Sequence, residues 1–207
     1  AVLDDKELEH GKIEALFTTS EETGLDGAFA LKDDFLTGSI LINLDSEDEG
    51  ELFIGCAGGI DTTAKIKYTT TSVPADYTFL KVGFAGGMGG HSGDDINKGR
   101  SNAVQSLARS LFRIFKDQKS YLCEIDGGNK RNAIPRECDA VISVRDREKA
   151  TEVILKLEAD IRRELNPADR EFRVLVSKTG AKERMMSFKD TSRVISFLGL
   201  VPNGVIS

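Results

Sequence analysis

Phe17-Thr18-Thr19-Ser20-Glu21-Glu22-Thr23-Gly24 stands between two apolar stretches. Before it, Ile13, Ala15 and Phe17 alternate with Lys12, Glu14 and Leu16, the period of a strand with one apolar face. After it, Leu25 to Leu31 is apolar enough to start a helix. The next apolar run, Ser39 to Leu44, ends in acid, Asp45-Ser46-Glu47-Asp48-Glu49. Strand, helix, strand in that order predicts a parallel unit with a right-handed crossover. The carboxyl ends of its strands share one sheet edge, where open α/β sheets bind ligands. Glu21, Glu22 and Asp45 are therefore expected close together. Carboxylates crowded there repel unless protons or a cation compensate, and zinc accepts such ligands when imidazole helps. A second reading needs no ligand. Ser20 is then an N-cap, Glu21-Glu22 an acidic first turn facing the helix dipole, and residues 45–49 a solvated loop.

The remaining composition bounds the answer. At 207 residues the chain fits one large domain or up to two small ones. A hydrophobic content of 40% with 30% charged residues is enough to build a core. The formal net charge of -6, without a Lys/Arg block, argues against a nucleic-acid partner. No apolar run reaches membrane-spanning length, so no membrane partner is expected, and no signal peptide is visible. Cys56, Cys123 and Cys138 are odd in number and lack metal-ligand spacing, the pattern of free thiols in a reducing, cytoplasmic compartment. The opening Ala1-Val2-Leu3 and the closing Gly204-Val205-Ile206-Ser207 read as cut inside a helix and inside a strand, the ends of an internal fragment.

Three segments follow from the patterning: residues 1–59, 60–200 and 201–207. The first is the partial α/β piece. Gly55-Cys56-Ala57-Gly58-Gly59 reads as a hinge; the competing phosphate-cradling loop lacks both the GxxxxGK[ST] spacing and a following helix. Strand patterns cover Ala64 to Thr71 and Tyr77 to Phe84, the latter running into Gly86-Gly87-Met88-Gly89-Gly90-His91-Ser92-Gly93. Val104, Leu107, Ala108, Leu111 and Phe115 make one face of a helix. Strands over Tyr121 to Ile125 and Cys138 to Val144 come next. A second helix carries Ala150, Val153, Ile154, Leu157 and Ile161, capped by Asp146 and ended by Asn166-Pro167. A strand over Glu171 to Lys178 and a short helix over Ser192 to Leu198 complete the segment. From Tyr77 to Lys178 the order is β-α-β-β-α-β, the ferredoxin-like arrangement. Its sheet has helices on one face only, so the other face or an edge must be covered, as a dimer would do. The last seven residues read as an unfinished strand.

Only two histidines are present. His10, among charged residues, reads as a surface side chain. His91 lies in a loop whose glycines permit close backbone approach to a ligand, or is a loop residue with a local hydrogen bond. Asp126 to Arg136 is far longer than a hairpin requires. Its Asn and Arg side chains could hold a carboxylate or carbonyl, or serve a turn. No third member completes a Ser92-His91 triad.

Four motifs in order resemble the co-catalytic zinc metallopeptidases, the family of aminoacylase, carboxypeptidase G, peptidase T and the carnosinases. They are Thr18 to Gly24; Asn43-Leu44-Asp45-Ser46-Glu47; Gly89-Gly90-His91-Ser92-Gly93 with Gly99-Arg100-Ser101-Asn102; and Gly127 to Glu137. The resemblance implies a partial catalytic α/β piece, a ferredoxin-like lid that dimerises and a strand over 201–207 returning into the catalytic domain, with two zinc ions per full-length subunit and hydrolysis of a dipeptide substrate. By position it makes Glu21 the general base, and Glu22 and Asp45 terminal ligands of one zinc each. It makes His91 a lid residue that reaches the partner subunit's site to polarise the substrate carbonyl. Asn132 and Arg136 become substrate contacts. The family's upstream His-x-Asp segment, bridging Asp and late His ligand have no counterpart here, so a catalytically inactive piece is expected. The rival expectation is a dimerisation or small-molecule-binding module without catalysis.

Overall fold

A computed structural model describes residues 4–45 and 48–206, and the chain divides into two units, Ala1–Gly59 and Ile60–Ser207. In the first unit, Glu21–Gly24 and Asp26–Phe29 form two single-turn helices, α1 and α2, broken by Leu25 at φ 60°. The expected strands over 13–17 and 39–44 do not form, which corrects the parallel-unit expectation. A strand is held by a partner's N–H and C=O groups, and no described segment of this unit supplies them. Its apolar residues stay outside accordingly: Phe17, Ile40, Leu41, Ile42 and Leu44 are exposed, and no described residue of the unit is buried. A side chain does the tethering instead. Glu14 accepts hydrogen bonds from the Thr37 amide (2.8 Å), the Thr37 hydroxyl (2.9 Å) and the Gly38 amide (2.9 Å). Together with the Lys12 ammonium, which contributes most, these donors lower the Glu14 pKa to about 2.

The second unit follows the β-α-β-β-α-β order. Its elements are β1 (Thr70–Ser72), β2 (Thr78–Ala85), α3 (Ala103–Asp117), β3 (Tyr121–Gly127), β4 (Cys138–Val144), α4 (Arg147–Glu164), β5 (Arg173–Lys178), β6 (Arg184–Met186) and α5 (Phe188–Leu200). The main sheet runs β3-β4-β2-β5, antiparallel throughout. Pairing Leu80 with Ile142 and Val82 with Ala140 aligns the apolar positions of β2 and β4 on the face toward the helices. Leu107, Leu111 and Ile114 of α3 and Ile154 of α4 close the core from above, fully buried. Each such side chain stabilises by about 1.5–3 kcal/mol relative to exposure. Asp146 caps α4 as expected, and Asn102 caps α3, which the sequence reading did not mark; each accepts the amide three residues on.

Three parts of this unit depart from the sequence reading. Strand structure in 64–71 is confined to β1, because only there does β6 supply a partner. The final helix starts at Phe188 rather than Ser192, since Ser187 provides the cap and Asp190 a first-turn acid. Residues 201–206 hold no strand, which corrects the expected return strand. Asp190 then ties the unit's start to its end, accepting from the Thr69 amide (2.9 Å), the Thr69 hydroxyl (2.7 Å) and the Ser187 hydroxyl (2.7 Å). The edge question is half answered within the chain. Leu122 on edge strand β3 donates its amide to the Thr191 hydroxyl of α5 (3.1 Å), while β5 at the other edge has no second strand among the described residues.

Candidate active site

The two halves of the expected site lie in separate units. In the first, Glu21 and Glu22 open α1, both exposed. Ser20 does not act as an N-cap: its φ is 60° and its side chain makes no capping bond, which corrects that expectation. The left-handed turn lets the chain double back, so the Gly27 amide reaches the Thr19 carbonyl at 3.1 Å. A Cβ on Gly27 would fall 2.4 Å from the Thr19 nitrogen, so glycine is required there. A leucine at φ 60°, as at Leu25, is a genuine outlier, and such strain clusters at functional sites. Asp45 is exposed in an unpaired segment, its amide donating to Asn43 Oδ1 at 3.0 Å; Ser46 and Glu47 lie outside the described residues. The shared strand edge expected to unite Glu21, Glu22 and Asp45 is absent. Among the described residues no group of three or more His, Cys, Asp or Glu side chains is placed to hold a metal. The carboxylates are a donor type that zinc accepts, but a tetrahedral site wants three or four protein ligands, and the described residues bring no such set together.

In the second unit the structure joins the two loops that the sequence singles out. His91 bridges Ala133, the Ile134 amide donates to the Gly90 carbonyl (2.8 Å), and the Ser92 amide donates to the Asn132 carbonyl (2.9 Å). Arg136 closes the far end, its Nε donating to the Gly87 carbonyl at 2.9 Å. The excess length of the 128–137 loop is thus explained: it pairs with the glycine loop. Arg131 pairs with Asp61. His91 and Asn132 become neighbours, while Arg136 serves at least to hold the loop.

Three further residues shape this surface: Asp169 and Asp95, which lie outside the four motifs, and Arg100, which lies within one. Asp169, 2% exposed, accepts the Met88 amide (2.7 Å), the Ser101 amide (2.7 Å) and the Ser101 hydroxyl (2.9 Å), clamping both ends of the His91 loop. Its partners lie 68 and 81 positions away, so no local pattern could have marked it. Asp95 and Arg100 pair at 2.8 Å inside the loop, and Arg100 also donates to the Gly89 carbonyl at 2.5 Å. Burial pushes the Cys123 thiol up to about 11 and Cys138 up to about 12, so neither supplies a thiolate nucleophile at neutral pH.

A four-stranded antiparallel sheet under two crossover helices carries a histidine loop laced to an asparagine loop. Residues 81–171 match the family described as "Peptidase dimerisation domain". Beyond that domain the whole chain is homologous to dipeptidases. It is 38% identical over 208 aligned positions to the cytosol non-specific dipeptidase of Escherichia coli (strain K12), covering 100% of this chain and 43% of that protein. The crystal structure of aminoacylhistidine dipeptidase from Vibrio alginolyticus matches with a TM-score of 0.80 at 34% identity, over 100% of this chain and 42% of that one. The chain therefore spans less than half the length of either relative, and the resemblance to peptidases read from the four motifs is upheld.

Proposed function

We propose that these 207 residues are part of a metal-dependent dipeptidase that cleaves unblocked dipeptides, those of Xaa-His type among them. Homology along the entire chain to two proteins named as dipeptidases carries this reading. Residues 1–59 belong to the catalytic domain, 60–200 form the lid and dimer contact, and 201–207 lead back toward the catalytic domain. The exposed apolar runs at 40–44 and 52–54 support the division, since they are surfaces that further chain would cover. A cytoplasmic homodimer fits the relative named as cytosolic and the dimerisation-domain match.

When bound, two zinc ions would polarise the scissile carbonyl and acidify a water, with Glu22 and Asp45 each contributing one carboxylate. Glu21, exposed beside the strained Ser20, takes the proton as general base and returns it to the leaving amine. His91 presents a hydrogen-bond donor where the carbonyl oxygen gains charge. Asn132, next to the Ala133 that bridges His91, contacts substrate, and Arg136 fixes the loop through the Gly87 carbonyl.

The test is zinc content after dialysis, together with hydrolysis of a dipeptide panel. The 207-residue chain is expected to hold little zinc and show no turnover, and the protein with its remaining catalytic segments to do both. Two tightly held ions in the chain alone would overturn the division. No metal and no turnover in the complete protein would favour a dimerisation module without catalysis, the reading that the dimerisation-domain match taken alone supports.

A further inference from the structure

The two histidines of this chain sit in opposite hydrogen-bonding environments. His10 Nδ1 faces the Gly11 carbonyl at 2.8 Å, an acceptor, so that nitrogen must carry a proton to bond. His91 Nδ1 faces donors instead: the Gly93 amide at 3.1 Å and the Asp94 amide at 3.3 Å. A nitrogen that accepts from two backbone amides cannot itself be protonated, which leaves the proton of the neutral ring on Nε2. One rival is present, the Asp94 carboxylate 3.7 Å from Nδ1. That carboxylate is 89% exposed and beyond hydrogen-bond distance, so the two amides prevail.

What holds those amides in place is the interior of the loop. The His91 amide donates to Asp95 Oδ2 at 2.8 Å. Asp95 Oδ1 accepts from Arg100 and from Lys98, each at 2.8 Å. The glycines make room for this brace. A Cβ on Gly90 would fall 2.4 Å from Asp95 Oδ2, and one on Gly93 would fall 3.2 Å from His91 Nδ1.

We propose that Asp95, braced by Arg100, is a positioning residue that holds His91 as the Nε2–H tautomer, with Nε2–H as its free donor. The chemical consequence is specific. A fixed Nε2–H hydrogen-bonds an oxygen that gains negative charge without reorganising, whereas a ring free to exchange tautomers presents a lone pair for part of the time. The inference deepens the proposed role of His91 and rests on it for its purpose. The tautomer itself is measurable on the chain without metal or substrate, so its failure and that of the dipeptidase reading are distinguishable.

The experiment is long-range 1H–15N correlation of the imidazole rings in the uniformly 15N-labelled chain, at a pH where both rings are neutral. A His10→Gln variant assigns the two ring systems. The expected wild-type result is a pyridine-type Nδ1 and a pyrrole-type Nε2 for His91, the reverse of the pattern that the Gly11 carbonyl favours at His10 and distinct from the averaged shifts of a ring that exchanges tautomers. Asp95→Ala is expected to move the His91 nitrogens toward the averaged values while the β2–β4 amide signals stay in place. If that variant does not fold, Asp95→Asn, which weakens the hold on Lys98 and Arg100, should shift them in the same direction by less. Asp94→Asn should leave them unmoved. A protonated Nδ1 in the wild type would overturn the tautomer. Unchanged His91 shifts in the folded Asp95 variant would overturn the role of Asp95, and a shift on Asp94→Asn would transfer that role to Asp94.

Discussion

Single glycines decide whether the His91 loop can exist in its observed form. Gly90 has φ 142°, and a Cβ there would stand 2.3 Å from Arg100 Nη1. Gly90→Ala therefore combines backbone strain with a clash against the Asp95–Arg100 pair. It is expected to lower the stability of the 60–206 unit by roughly 1–3 kcal/mol, read from urea unfolding by circular dichroism. The glycine-dense run was legible as permissive backbone. Which glycine faces which partner was not, because Arg100 and Asp95 meet Gly89 and Gly90 only once the loop has closed. The same limit applies to Asp169, whose hydrogen bonds reach back across most of the domain.

At the level of elements, the core of the lid is set by the facing positions of β2, β4 and α3. Ile142, fully buried on the central strand β4, is a direct probe. Ile142→Ala should cost about 2–5 kcal/mol through lost transfer energy and the cavity left behind, again measured by urea unfolding. Asp190 joins β1 to the start of α5. The Thr69 amide, then the Thr69 and Ser187 hydroxyls, hold its carboxyl well below the usual carboxylate range. A depressed folded-state pKa contributes stability above the unfolded value, about 3.9 for Asp, and that contribution is lost as pH falls through the lowered value. Asp190→Asn should thus melt below wild type at pH 7, and the gap should close on acidification below about pH 4. Melting curves that stay equally far apart at both pH values would contradict this assignment. Edge strand β5 has a different part to play: Leu175 is 48% exposed on it, and α5 guards only the opposite edge. Leu175→Asp should weaken self-association of the chain in sedimentation velocity.

For the whole molecule, the proposed function requires residues from the lid and from the catalytic segment in one reaction. Losing an oxyanion donor costs ~10²–10³ in rate, so in the complete dipeptidase His91→Ala and Glu21→Gln homodimers should each be nearly inactive. If His91 serves the partner subunit, mixing the two variants restores one whole site in each mixed dimer. Random exchange then gives roughly a quarter of wild-type activity for an isologous dimer. No recovery despite verified subunit exchange would reject action in trans.

The sequence by itself determined the lid. Apolar period along β2, β4, α3 and α4, with Asp146 as a cap, is local information that a complete antiparallel sheet can satisfy within this chain. It also marked the glycine-dense loop of His91 and the long loop that holds Asn132, each separately. Only the tertiary structure decided the rest. The strand patterns at 13–17 and 39–44 are as regular as those of the lid, yet remain unpaired, because a strand is completed by a neighbour and not by its own alternation. Likewise β6 and the pairing of the two lid loops arise from hydrogen bonds between residues far apart in sequence, which no local pattern encodes.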